Sequence, residues 1–203
     1  MLAGVSVAEL SAHRRDEYLQ AARLALEPGA VHIELDLTPG IALAEAVISD
    51  IDRDRDGSLS PDEQVAYANL VLSAIEVEVD ERSLPLQLGD ASYPDVDAIR
   101  RGEGTIRLHV AATLQDLSSG THQLVFRNTH RAEGSVYLAN ALVPESDQVA
   151  VTRQQRDGSQ SELVIDYAVR SSAARTHVWL LSGLALAAAL SCVYAICGSA
   201  SRS

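Results

Sequence analysis

Six oxygen-bearing residues fall at regular intervals between positions 52 and 63: Asp52, Asp54, Asp56, Ser58, Ser60 and Glu63. Three carboxylates at alternate positions can turn inward together while Arg53 and Arg55, between them, face water. Gly57 stands where the chain must reverse sharply, and glycine enters the left-handed backbone region without steric penalty. A hard cation such as Ca²⁺ takes about six to eight oxygen ligands, and positions 1, 3, 5, 7, 9 and 12 of a twelve-residue loop can wrap it. In that scheme Ser58 gives its backbone carbonyl, Ser60 binds directly or through a water, and Glu63 closes the shell with both carboxylate oxygens. Without a cation, acidic groups at these offsets would repel one another. Ca²⁺ is therefore the expected cofactor.

Such a loop needs a helix on each side. Ala44, Val47, Ile48 and Ile51 recur at helical spacing before it, as do Tyr67, Ala68 and Val71 after it. Pro39-Gly40 ends the preceding segment, and Ser60-Pro61-Asp62-Glu63 reads as a capping box with proline at the first helical position. Leu59 is expected on the hydrophobic side. Over roughly residues 41–76 the pattern resembles the EF-hand calcium-binding family with every ligand position filled. Gln64 is a departure, where many EF-hands carry an apolar residue. The resemblance also implies pairing, because the familiar sensors join two hands through their position-8 residues. This sequence has no second loop: at Asp157-Gly158, Arg153 would occupy the first ligand position. A lone hand must lean on another surface, either the rest of the domain or a second copy. Calcium is thus expected to be structural, supporting a binding or scaffold module.

The remaining chain reads as short strands. Val31, Ile33, Leu35 and Leu37 alternate with polar residues, and Glu27-Pro28-Gly29 supplies the turn before them. Similar runs around 18–26, 77–80, 84–88, 104–114, 122–128, 135–143, 148–154 and 162–169 bring the expectation to about nine strands. Gly120, Gly134 and Asp157-Gly158 punctuate the later runs at hairpin-like spacing. The expected fold is mainly β (α+β): an antiparallel β-sandwich with the helix-loop-helix inserted between its second and third strands. Helix is otherwise expected only in a C-terminal transmembrane segment.

From Val178 to Cys197 the sequence has no charged residue, which is the length of a membrane-crossing helix. Trp179 and Tyr194 stand near its two ends, as interfacial aromatics do. The expected organisation is a signal-peptide remnant at 1–12, a β-rich domain at 13–170, a linker at 171–177, the membrane helix at 178–197 and a tail at 198–203. Arg170, Arg175 and His177 precede the span and only Arg202 follows it, a count that favours the opposite orientation to the one expected. The apolar, base-free start before His13-Arg14-Arg15 instead supports a single-pass protein with its body outside the cytoplasm, in a bacterial periplasm or at the cell surface. Both cysteines, Cys192 and Cys197, lie in the apolar segment, so no disulfide framework supports the body. The opening His13-Arg14-Arg15-Asp16-Glu17-Tyr18-Leu19-Gln20, with the β-rich body, is similar to extracytoplasmic regions preceding HupE/UreJ-type membrane proteins. That family is associated with nickel permeation; with one span here, no permease activity is carried over.

The net charge of -12 argues against nucleic acid, because the chain has no basic stripe to replace phosphate counterions. Cations, a protein partner or a second copy of the chain are the expected partners. No phosphate-cradling loop, dinucleotide fingerprint or hydrolase elbow is present. Asp95 and Asp97 suit a solvated loop better than acid/base chemistry, and the glycines of Arg101-Gly102-Glu103-Gly104-Thr105 suit a turn. An enzyme is not the expected reading. The alternative is a calcium- or copper-dependent enzyme or metal-handling accessory. It would draw on His13, His32, His109, His122 and His130, which the sequence leaves unclustered.

Overall fold

The computed structural model describes residues 16–114 and 118–170. Within the described residues the elements run β1 (Tyr18–Glu27), β2 (Ala30–Pro39), α1 (Ile41–Ile51), α2 (Pro61–Leu72), β3 (Ile75–Val79), β4 (Arg82–Ser83), β5 (Leu86–Ser92), α3 (Val96–Arg100), β6 (Ile106–Thr113), β7 (Gly120–Asn128), β8 (Ser135–Ala141), β9 (Val149–Arg156) and β10 (Glu162–Val169). They build two five-stranded sheets, ordered β5-β6-β2-β1-β8 and β4-β3-β7-β10-β9. The fold is mainly β, as expected, with the helix-loop-helix between the second and third strands.

Alternation along the strands makes the core. Val31, Ile33, Leu35 and Leu37 of β2 are buried, and they belong to the same hydrophobic cluster as Leu124 and Phe126 of β7 and Leu163 and Ile165 of β10. Burying each such side chain is worth about 1.5–3 kcal/mol, so period-two patterning decides which face turns inward. The strands share two poles. Pro39, Asn128, Ser135 and the start of α1 mark one, which also carries the acidic loop; Val79, Thr113, Gly120 and Val169 mark the other.

Three features depart from the sequence reading. Pairing is not wholly antiparallel, because β1 and β8 run parallel. The cause is a crossing: β7 ends in the second sheet beside Ile75, and residues 129–134 carry the chain to the edge of the first sheet, where β8 starts alongside Tyr18. The strand expected at 84–88 is instead Leu86–Ser92, preceded by the two-residue β4, which makes ten strands among the described residues. Asp95 and Asp97 belong to α3 rather than a loop, Asp95 at the N-cap and Asp97 in the first turn. Gly102 ends that helix at φ 67°, and the bonds Gly102 N–H to Ile99 O and Glu103 N–H to Ala98 O form a Schellman motif.

The signal remnant and the membrane helix fall outside the described residues. Among the described residues no helix is long and apolar enough to cross a membrane.

Candidate metal centre

The loop hangs between α1 and α2, and each helix buries the stripe that its spacing indicates: Ala44, Val47, Ile48 and Ile51 from α1, Tyr67, Ala68 and Val71 from α2. Helix α2 begins at a true capping box. The Ser60 side chain receives the Glu63 N–H, and Glu63 Oε2 accepts from Ser60 N–H at 3.0 Å and from Ser60 Oγ at 2.6 Å. Glu63 Oε1 reaches across the loop to the Arg53 N–H at 2.8 Å. One carboxylate therefore ties the end of the loop to its beginning.

Asp52, at the mouth of α1, is buried, and its two oxygens accept from Asp56 N–H at 3.1 Å and Gly57 N–H at 3.0 Å. Asp54 Oδ1 accepts from the same Asp56 N–H at 3.1 Å. The turn that makes this inward folding passes through Arg55 at φ 63° and Gly57 at φ 85°. Space is not what requires glycine at 57, since an added Cβ would meet nothing within 4 Å; the backbone angle is.

Asp52, Asp54 and Glu63 each offer a carboxylate oxygen, and these atoms all lie within 4.8 Å of one another. Two ligands on one Ca²⁺ cannot be further apart than two bonds of about 2.3–2.6 Å, so this separation fits a shared cation. Asp56 is not part of the gathered set and directs Oδ1 to the Ser58 N–H at 2.7 Å. Ser60 Oγ is engaged in the cap.

The electrostatics follow the hydrogen bonds. Ser60's hydroxyl and N–H, joined by the Arg53 and Asp54 N–H groups, hold the Glu63 carboxyl down to about 2. For Asp54 the Asp56 N–H bond lowers the pKa. Desolvation and the neighbouring Asp56 and Glu63 charges outweigh it and leave the group raised. A cation would relieve that mutual repulsion.

No family model, curated protein or solved structure matches this chain.

The helix pair leans on the β fold. Tyr67 of α2 places its hydroxyl 2.8 Å from that of Tyr18 on β1, and its ring meets His130 edge-on. Arg131 pairs with Asp50 near the end of α1 and donates to the Ala46 carbonyl at 3.2 Å. Gln64, the unusual residue, donates to the carbonyl of Leu59 at 2.8 Å, while its own carbonyl accepts from Tyr93 Oη at 2.8 Å. Beneath them, Gln20 donates to the carbonyl of His130, and Asn128 bridges Gln20 to the His130 N–H. Sequence reading found the helix stripes but not the long-range partners, such as Tyr93 for Gln64 and His130 for Gln20, which lie 29 and 110 residues apart.

Among the described residues the histidines gather no metal-ligating group of three; the acidic loop alone does so. His122 and His130 are buried and hydrogen-bonded, His32 and His109 are on the outer face of the first sheet, and His13 lies outside the described residues.

Proposed function

We propose that residues 52–63 form a single EF-hand that binds Ca²⁺, with Asp52, Asp54, Asp56, Ser58, Ser60 and Glu63 as ligands. The observation that carries the reading is the gathering of Asp52, Asp54 and Glu63 oxygens within 4.8 Å. An all-oxygen, carboxylate-rich donor set selects a hard cation over the transition metals that imidazole and thiolate prefer. The cation would cancel the repulsion felt by Asp54 and hold the ends of α1 and α2 in register. Its role is structural: Asp50–Arg131 and Tyr67–Tyr18 already fix both helices on the β fold, which leaves little freedom for sensor-style opening.

The wider reading is an extracytoplasmic β-sandwich, anchored by the apolar segment 178–197 and acting as a binding or scaffold module for a protein partner or a second copy. The uncharged length of that segment supports the anchor.

Titration calorimetry of the full chain tests the metal assignment. Ca²⁺ is expected to bind at about 10⁻⁴ to 10⁻³ M, in the class of extracellular modules. Asp52→Ala is expected to abolish that heat while Glu145→Ala leaves it unchanged. No heat at millimolar Ca²⁺, or undiminished binding in Asp52→Ala, would sink the assignment.

A further inference from the structure

A loop that holds a cation gains affinity from being shaped beforehand, since any ordering left to the moment of binding subtracts from it. The first half of the acidic loop is shaped by Asp52 and Asp54, which accept backbone N–H groups from within it. The second half is shaped differently. Leu59 lies between Ser58 and Ser60, and its carbonyl is fixed by Gln64, the fourth residue of α2, whose Nε2 donates to it at 2.8 Å. The half-buried Leu59 side chain packs against the hydrophobic core. Carbonyl and side chain are thus both held at the one residue that separates two candidate ligands.

Gln64 is itself held from outside the helix pair. Its backbone carbonyl accepts from the half-buried Tyr93 hydroxyl at 2.8 Å, and the Tyr93 ring meets Tyr67 of α2 edge-on, with centroids 6.5 Å apart. Tyr93 opens a segment that reaches α1 as well. Gly102 sits so close to Ile41, the first residue of α1, that a Cβ would meet Ile41 Cγ1 at 3.0 Å. Arg100 donates to Glu45 of α1 at 2.8 Å, an exposed pair that adds little by itself. Gly104 closes the segment on itself: a Cβ there would lie 2.8 Å from Pro94 Cγ and 2.9 Å from the Ile99 nitrogen. Residues 93–104 are therefore braced internally and touch both helices that flank the loop.

We propose that Gln64 is a positioning residue for the metal: braced by residues 93–104, it sets the shape of Ser58-Leu59-Ser60 and lets one chain hold Ca²⁺ without a second copy. The inference rests on the calcium reading of the loop and extends it to a residue that is not among the proposed ligands. Losing the Nε2 donor would free the Leu59 carbonyl, and the cation would then have to order Ser58 and Ser60 itself.

The full chain, wild type and Gln64→Met, would be titrated with Ca²⁺ by calorimetry, and the thermal unfolding of each followed with and without the metal. Methionine keeps the length of the side chain and removes its donor. Gln64→Met is expected to weaken Ca²⁺ binding about fivefold, within the roughly tenfold that one net hydrogen bond is worth. A residue that only stabilises the fold would lower both unfolding midpoints alike and leave the Ca²⁺-induced rise unchanged. Here that rise is expected to shrink, because it follows metal affinity. Tyr93→Phe, which keeps the ring and removes only the hydroxyl, is expected to weaken binding by about twofold. Wild-type affinity is expected to stay constant over an about hundredfold range of protein concentration. Unchanged affinity in both variants overturns the proposal and leaves the calcium reading standing. So does wild-type binding that tightens with protein concentration, which would assign the bracing to a second copy. A wild type that takes up no Ca²⁺ at millimolar concentration overturns both.

Discussion

At the pole with the acidic loop, His130 is packed against Tyr18 and Tyr67, its Nε2 3.4 Å from the Tyr67 hydroxyl. At the opposite pole, His122 sits against Tyr167 with Nδ1 2.7 Å from an Asp80 oxygen and Nε2 2.8 Å from the Ser118 carbonyl. Both rings are buried, yet they ionise in opposite directions. Desolvation, aided by the adjacent Arg131 charge, pushes His130 down to about 4. The Asp80 hydrogen bond raises His122 despite desolvation, because two acceptors facing one imidazole require both nitrogens to carry hydrogen. Burial sets the penalty for a charge; the partner decides whether the charge survives it.

The Asp80 pole shows what holding that charge requires. Asp80 and Glu81 form the two-residue turn of the β3–β4 hairpin at φ 48° and 64°, angles that favour glycine or asparagine. The Asp80 carboxylate secures the turn by accepting from Gln123 N–H at 3.0 Å as well as from His122. Desolvation raises its pKa, but those two hydrogen bonds outweigh it and leave the group lowered.

The largest expected effect at the loop pole is that of Tyr67→Ala, which removes the ring between α2 and the β fold. It should cost about 3–5 kcal/mol in urea unfolding, the usual range for deleting a buried aromatic. A loss below about 1 kcal/mol would show that the helix pair does not rest on this contact.

The histidines come next, and their signs differ. His130 binds its proton more readily unfolded, so its contribution is lost as pH falls from about 6.5 towards its folded value. The loss should be on the order of 2 kcal/mol in the wild type and absent in His130→Gln. His122 has a raised folded pKa, so its contribution is complete below about pH 6.5 and disappears as pH rises through the folded value. Asp80→Asn should remove that second decline. Ring resonances that titrate together near pH 6.5 would break the comparison.

The smallest effect separates two tyrosines. Tyr67→Phe removes one partner of a buried hydroxyl pair and should cost about 1 kcal/mol. Among the described residues the buried Tyr167 hydroxyl has no hydrogen-bond partner, so Tyr167→Phe should be neutral or stabilising. Equal losses in thermal unfolding would contradict the contrast.

What the sequence revealed was local. Ala44, Val47, Ile48 and Ile51 announce a buried helix stripe because their spacing is that of the helix itself, and Ser60 with Glu63 announces a cap for a similar reason. The gathering of Asp52, Asp54 and Glu63 was legible for the same cause: twelve consecutive residues contain the whole arrangement. Helix α3 was missed because five residues are too few to show a helical period. The parallel pairing of β1 with β8 was missed because it depends on which sheet β8 joins, which no alternation pattern records. His122 and His130 look alike in sequence, since their ionisation is set by Asp80, Arg131 and Tyr67 from distant parts of the chain.

The order of the strands also has a mechanical side. Tyr18 begins β1 at the loop pole, and Val169 ends β10 at the other. A pull applied at these two points would run along the strands and shear them past one another instead of peeling them open. On the first sheet that tension enters a strand zipped on both sides, to β2 over its whole length and to β8 over seven residue pairs. The hydrogen bonds of β1 would be strained together, the arrangement that lets a sheet resist extension.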